Sequence, residues 1–517
     1  MLNKQIRSVL FASVAALAVT ACGADDVASP GEGNLVILPT PAPAPAPAPA
    51  PTPTPTPGSG PAANCPTGTA NVGTITTGNG EEVRNCQISG IITGNLLVPK
   101  RVGTIYSFSG EVDVGIDGGA TGIVTFEPGV TVFGSSGGDF LLVNRGSQIF
   151  AEGTATAPIV FTSRQNILGT TTADSIGQWG GVVILGRAPI SNCATGDVSN
   201  PGGTRTDCEA IIEGPANAVY GGTLPNDSSG RLSYLQIRYP GFEVSTGNEL
   251  NGISLGGVGR GTFFQNIQVH NSSDDAVEWF GGRVNGKNLA FTGNDDDSVD
   301  SDVGYKGFNQ FVLAVQRVNG GDHNWEADSN GDEDAQPRQN YAMANGTLVS
   351  RGGNTTILMR GGGDYEMYNS VISSAAASNR CLDMDGSATV QAANPALDEK
   401  GPPVFQSVFM SCSGGAFVDD GNVTVAAIQT IFNAGTNNTS AGTSTLASSA
   451  WPIAFINGAN ENGVTPFNAA TVASAFQFGD YEAVNYIGAV KDANDTRFQG
   501  WTCGLYANDC AIAPTIG

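Results

Sequence analysis

The chain is poor in charge and poorest in bases: 14% of its 517 residues are charged, with 23 Lys and Arg against 47 Asp and Glu. A formal charge of −24 leaves no basic footprint, which argues against nucleic acid as a partner, because phosphate binding needs clustered cations. Histidine is scarcer still, limited to His270 and His323. No GxSxG elbow occurs, so Ser-His-Asp chemistry has no support. No CxxC pair occurs either, which argues against thiolate metal sites. The glycine-rich stretches 256–261 and 361–363 lack a following GK[ST] and read as turns rather than phosphate cradles. No apolar run reaches the ~20 residues that crossing a bilayer takes.

At the N-terminus, Lys4 and Arg7 precede an apolar run from Val9 to Val19, the order of a secretory signal. Val19-Thr20-Ala21-Cys22 then resembles a lipobox, which predicts removal of residues 1–21 and lipidation of Cys22. Losing Lys4 and Arg7 with no acid moves the formal charge from −24 to −26. Residues 22–61 contain an almost strict Pro-Ala or Pro-Thr alternation from Pro39 to Pro57. Such a tract favours polyproline II and reads as a stalk reaching roughly 60 Å. Gly23 is not the aspartate that retains enterobacterial lipoproteins in the inner membrane, so an outer-membrane anchor is expected, with the body at the cell surface or released.

With Cys22 assigned to lipid, eight cysteines remain of the nine. They fall into local couples: Cys65 with Cys86, Cys193 with Cys208, Cys381 with Cys412, and Cys503 with Cys510. An even remainder fits an oxidising compartment and four disulfides, although eight cysteines allow 105 pairings.

From residue 62 to 517, short β-branched and aromatic runs alternate with Gly, Asn, Ser and Asp. That is an all-β signal. IQVHNSSDDAVEWFGG, from Ile267, echoes LAFTGNDDDSVDSDVG, from Leu289, so Asp274 and Asp275 fall on Asp296 and Asp297, and Val277 on Val299. Comparable strands are expected at LSYLQIRY, YAMANGTLVS, YEMYNSVISS, FQSVFMSCS and VAAIQTIFN. A period in the twenties fits a parallel β-helix of about a dozen or more coils, a ladder of roughly 60 Å. Sandwiches turn more often and propeller repeats are longer.

The run from NELNGISLGGVG through DDAVEWFGG to YKGFNQFVL, with GQWGGVVILGRAPI before it and NWEADSNGD after it, resembles a family of bacterial surface lipoproteins found in Bacteroidetes and alphaproteobacteria. The resemblance implies a right-handed parallel β-helix outside the cell. Relatives include cargo of type II secretion made under phosphate limitation and neighbours of TonB-dependent receptors, which implies secretion machinery or an outer-membrane receptor as partners. It brings no catalytic residues.

Acids concentrate between Asp274 and Asp334. Packed this closely they raise one another's pKa unless a cation intervenes, and calcium, which takes oxygen ligands, is the expected one. Asp328, Asn330, Asp332 and Asp334 alternate like the start of a calcium loop, although Glu333 replaces its glycine and Gln339 its closing glutamate. Asp274, Asp275, Asp296 and Asp297 offer the alternative of paired carboxylates for cleaving a polysaccharide, as a lyase or hydrolase. No Gly-His-Gly and no Arg-Ile-Lys accompany them. His270 reads as structural and His323, in GGDHNWEAD, as the better surface candidate. The tryptophans read as core fillers rather than sugar platforms. The leading expectation is a non-enzymatic binding and display scaffold.

Overall fold

The computed structural model describes residues 60–193, 208–329, 333–352, 354–419, 421–449, 453–506 and 509–517. The signal segment, Cys22 and the stalk as far as residue 59 lie outside the described residues. The body is a parallel β-helix with three faces. On face one, nine successive pairings join ten strands, from Gly94–Val98 through Gln148–Glu152 and Asp364–Tyr368 to Val404–Gln406. Face two climbs from Thr131–Gly134 to Phe409–Cys412. Face three runs from Phe140–Val143 through Gly181–Leu185, Ile253–Gly256 and Val277–Phe280 to Val299–Asp302. It then continues through Trp325–Ala327 and Ile357–Met359 to Leu382–Met384.

The register follows from the alternation of apolar and polar residues. Ile267, Leu289 and Val312 stack inward, as do Val277 and Val299. A slip of one residue would turn every such side chain out to solvent. The 22-residue echo in the sequence is thus the observed register, with Ile267 beside Leu289 and Val277 beside Val299.

Each coil must bend between faces one and two, and from Gly230–Arg238 onward the bend falls on one residue in the left-handed region. Tyr234, Asn266, Asn288, Phe311, Asn345, Asn369 and Ser407 occupy this column with φ between 49° and 59°. Asparagine fills most of it because it tolerates that conformation better than other residues with a Cβ.

The ladder is shorter than the dozen coils expected, because two long segments leave it. Residues 186–193 and 208–229 leave the ladder, and their Ile190, Ile212 and Tyr220 cover Leu142, Val183 and Leu185 on the outside of face three as an insertion. After Cys412 the coils stop. VAAIQTIFN, expected as a strand, is instead within the helix Val425–Ala434, capped by Thr424. Ile428 and Phe432 lie four apart on one helical face and close the end of the core, with Phe432 5.4 Å from Phe405. Parity-two alternation never develops in this run, and the short apolar stretch was ambiguous between the two periods.

The chain then returns along the helix as a strap. Gly488 N donates to Asn369 O, Gln310 exchanges hydrogen bonds with Glu482, Gln268 with Cys503, and Gly103 N donates to Gly517 O. Tyr486, Phe498 and Trp501 of the strap cover Ala290, Leu313 and Val349. The four cysteine couples all close, with Cα separations of 5.4, 4.9, 5.6 and 5.0 Å in chain order.

The corner column yields a stability test. Asn266→Val places a β-branched residue at φ 55° and should cost about 1–2 kcal/mol in urea unfolding, whereas Asn266→Gly should cost less. Equal losses in the two variants would refute the role of the corner.

Candidate functional site

Face three turns acidic from Val277–Phe280 onward, where Phe280 still packs against Tyr220 of the insertion. In Val277–Phe280, Val299–Asp302 and Trp325–Ala327, the residues Val277, Trp279, Val299, Trp325 and Ala327 belong to the core. Alternation then sends Glu278, Asp300 and Glu326 outward. In-register pairing puts Glu278 beside Asp300 and Phe280 beside Asp302. The turns entering these strands add Asp274 and Asp275, Asp296 and Asp297, then Asp322 and His323. Behind them the interior is a rigid aromatic stack, with Trp279 5.6 Å from Tyr305 and Trp325 4.8 Å from Tyr341.

The carboxylates converge. Asp274, Asp275 and Asp296 bring oxygens within 4.8 Å of one another, and so do Asp275, Glu278 and Asp300, and Asp296, Asp297 and Asp322. Backbone and amide groups fix several of them. Asp297 N donates to Asp275 Oδ1 at 2.9 Å, and Asn251 Nδ2 donates to Glu278 Oε2 at 2.6 Å. The four aspartates read from the sequence as a possible catalytic quartet are therefore neighbours, as the echo implied.

Burial and crowding act together on these acids. Burial first, then Glu249, Asp296 and Glu213, push the Asp274 carboxyl up to about 8. Burial, Asp322 and Glu326 raise Asp296 to about 6, while His323 pulls it down. Asp275, Glu278, Asp297 and Asp300 are also held well above the ordinary range, chiefly by burial and then by neighbouring carboxylates.

Cations balance one end of the strip. Arg360 pairs with Glu326 and, at 3.0 Å, with Asp328. His323 Nδ1 lies 3.3 Å from Asp297, 3.4 Å from Glu326 and 3.7 Å from Asp322. Burial opposes its charge, but Asp297, Glu326 and Asp322 outweigh burial and lift the imidazole to about 10. Burial likewise opposes ionisation of Glu326, yet His323, Asp297 and Arg360 draw it down to about 2.

The other expected sites are placed as follows. Asp328 is engaged by Arg360, and Asp334 lies 3.4 Å from Arg338. Asn330 and Asp332, the rest of that calcium loop, lie outside the described residues. His270 bonds Thr292 Oγ1 at 2.9 Å, and burial, Arg238 and Arg317 push it down to about 3, as suits a structural residue. Trp179, Trp279, Trp325 and Trp501 are buried, and Trp451 lies outside the described residues. Sequence reasoning did not place Arg360, or Glu213 and Glu249 beside Asp274. Arg360 arrives from a longer coil, Glu213 from the insertion and Glu249 from the segment before Ile253, so no fixed spacing announces them.

The electrostatics set a pH dependence. An acid whose folded pKa is raised contributes stability fully present below its unfolded value near 4 and lost as pH rises through the folded value, here about 8 for Asp274. In chelator, the thermal midpoint should fall between about pH 4 and pH 8, and Asp275→Asn should flatten that fall. A midpoint that stays level or rises across this window would count against the arrangement.

A family model described as the pectate-lyase-like β-helix domain matches residues 98–456. No curated protein and no solved structure matches the chain. The matched span takes in nearly all the coils and the entire acidic strip, and the chain belongs to the pectate-lyase-like β-helix domain family.

Proposed function

We propose that this chain is an exported lipoprotein that displays its β-helix at the cell surface and binds an anionic polysaccharide on face three through calcium. The carrying observation is the carboxylate spacing. Asp274, Asp275 and Asp296, and Asp275, Glu278 and Asp300, are all-oxygen sets whose atoms lie within 4.8 Å of one another. Calcium takes six to eight oxygens in flexible geometry, so these sets fit it as part of its shell. When bound, calcium supplies the positive charge that lets these carboxylates ionise and leaves attraction for acidic groups of a ligand. Asn251 and the Asp297 amide hold Glu278 and Asp275 in place. The family's description names pectate, a polyuronate, which makes an acidic glycan the ligand class of choice. Lys4, Arg7 and the lipobox ending at Cys22 support export and anchoring, and the proline-rich stalk supports reach.

A second reading is a polysaccharide-cleaving enzyme. It is favoured by the contrast between Asp274, at about 8, and Asp296, at about 6. Near neutral pH that pair offers a protonated acid beside an ionised carboxylate. The close approach of the oxygens weighs against an inverting pair, which needs about 6.5–9.5 Å to admit water.

Two measurements test these readings. Purified protein should retain polygalacturonate in calcium and lose roughly tenfold or more of its affinity in chelator or as Asp275→Asn. Equal binding in all three conditions would remove the calcium reading, and release of shortened products that stops in Asp274→Asn would establish the enzyme. For the anchor, palmitate should label the wild type and leave Cys22→Ala unlabelled; label persisting in the variant would exclude Cys22.

A further inference from the structure

His323 differs from everything else on the strip by bringing a nitrogen to a wall of oxygens. Its side chain is more than nine-tenths buried, at 6% exposure for the residue, and its ring is aimed at three carboxylates from two coils. A simple ion pair would align one N–H on one oxygen at about 2.7–2.9 Å. Nδ1 instead makes no aligned hydrogen bond. It stands off at 3.3 Å from Asp297 Oδ1, 3.4 Å from Glu326 Oε2 and 3.7 Å from Asp322 Oδ1.

Those separations have a meaning for a metal. Ligands about 2.0–2.1 Å from a tetrahedral ion lie about 3.3–3.4 Å from one another. Asp297 and Glu326 each meet this spacing to His323, and one ligand atom from each of the three lies inside a common 4.8 Å limit. The donors are also oriented from behind. His323 N donates to Asp297 Oδ1 at 2.6 Å, and Arg360 engages the second oxygen of Glu326, leaving Oε2 turned toward the imidazole. Such outer contacts are how ligating side chains are held.

We infer that His323 Nδ1, Asp297 and Glu326, with Asp322 at the mouth, form a site for a borderline divalent metal of the zinc class. Imidazole nitrogen with carboxylate oxygens suits zinc and its neighbours, whereas calcium and magnesium take oxygen. Asp322, about one-third exposed, lies outside this set and faces Nδ1 from the solvent side at 3.7 Å, where its charge favours a cation. The side chains of His323, Asp297 and Glu326 belong to neither all-oxygen set of the proposed glycan site, Asp274, Asp275 and Asp296 or Asp275, Glu278 and Asp300.

The test uses the full chain stripped with chelator and titrated with Co2+, then Zn2+. One equivalent of Co2+ should produce the visible absorption of a tetrahedral nitrogen and oxygen site, and Zn2+ should bleach it. His323→Gln should weaken Zn2+ roughly tenfold or more while keeping the wild-type circular dichroism in chelator and the same polygalacturonate binding in calcium. Asp322→Asn, at the exposed rim, gives a second variant and should weaken Zn2+ severalfold. Absence of the Co2+ band from the wild type would overturn the site and leave His323 as an internal counter-ion. Displacement of Co2+ by Ca2+ as readily as by Zn2+ would overturn it equally.

Discussion

In-register stacking of parallel coils is the constraint on which the rest of this molecule depends. Each outward side chain sits about 4.8 Å from its equivalent on the next coil, and the buried residues alone decide which residues are equivalent. Val277 under Val299 therefore brings Glu278 beside Asp300 whatever the repulsion between them. The same rule gives the column of left-handed corners from Tyr234 to Ser407. Like charges directly opposite are unfavourable on a sheet, so the acidic column is a cost imposed by the core on the surface.

The coils are enclosed unevenly, and this fixes where the surface can act. The insertion lays Ile190, Ile212 and Tyr220 over the early part of face three. The strap lays Phe498 and Trp501 over face two and reaches the first coils, where Ile516 and Gly517 donate to Glu81. Along the acidic stretch of face three Asp275, Glu278 and Asp297 are buried, which raises their carboxyl pKa values. Asp297 is almost fully buried while Asp322 is about one-third exposed, so the strip grades from floor to mouth.

What was legible in the sequence follows the same logic. Coils that differ by no insertion keep a constant length, so the echo between Ile267 and Leu289 gave both the fold and the quartet Asp274, Asp275, Asp296 and Asp297. Cysteines close in sequence paired locally because a short chain segment cannot easily separate them. Beyond Asp302 the coils lengthen: Trp325 pairs with Ile357, 32 positions on, and Val371 with Phe409, 38 positions on. Spacing then loses its predictive power, and Arg360 could not be placed beside Glu326. The strap was illegible for another reason. Its contacts, such as Gln268 with Cys503, are amide hydrogen bonds between distant segments, and glutamine in a strand carries no mark of its partner.

The acidic column is not something the fold requires. Inward residues set the register, so serine, threonine or asparagine at the outward positions would stack as well, as Ser254 does one coil before Glu278. Nor do the local bases neutralise the column: Arg360 and His323 engage Glu326, Asp328, Asp297 and Asp322 at the later end. Asp274, Asp275, Glu278 and Asp300 face one another and the carboxylates of Glu213 and Glu249. A buried group in that position either holds its proton or holds a cation. The raised carboxyls describe the first state, and the convergence of three oxygens at each set describes the second. Under the proposed calcium reading, passing from the first state to the second would return the stability that burial has cost and supply the charge with which to hold an anionic chain.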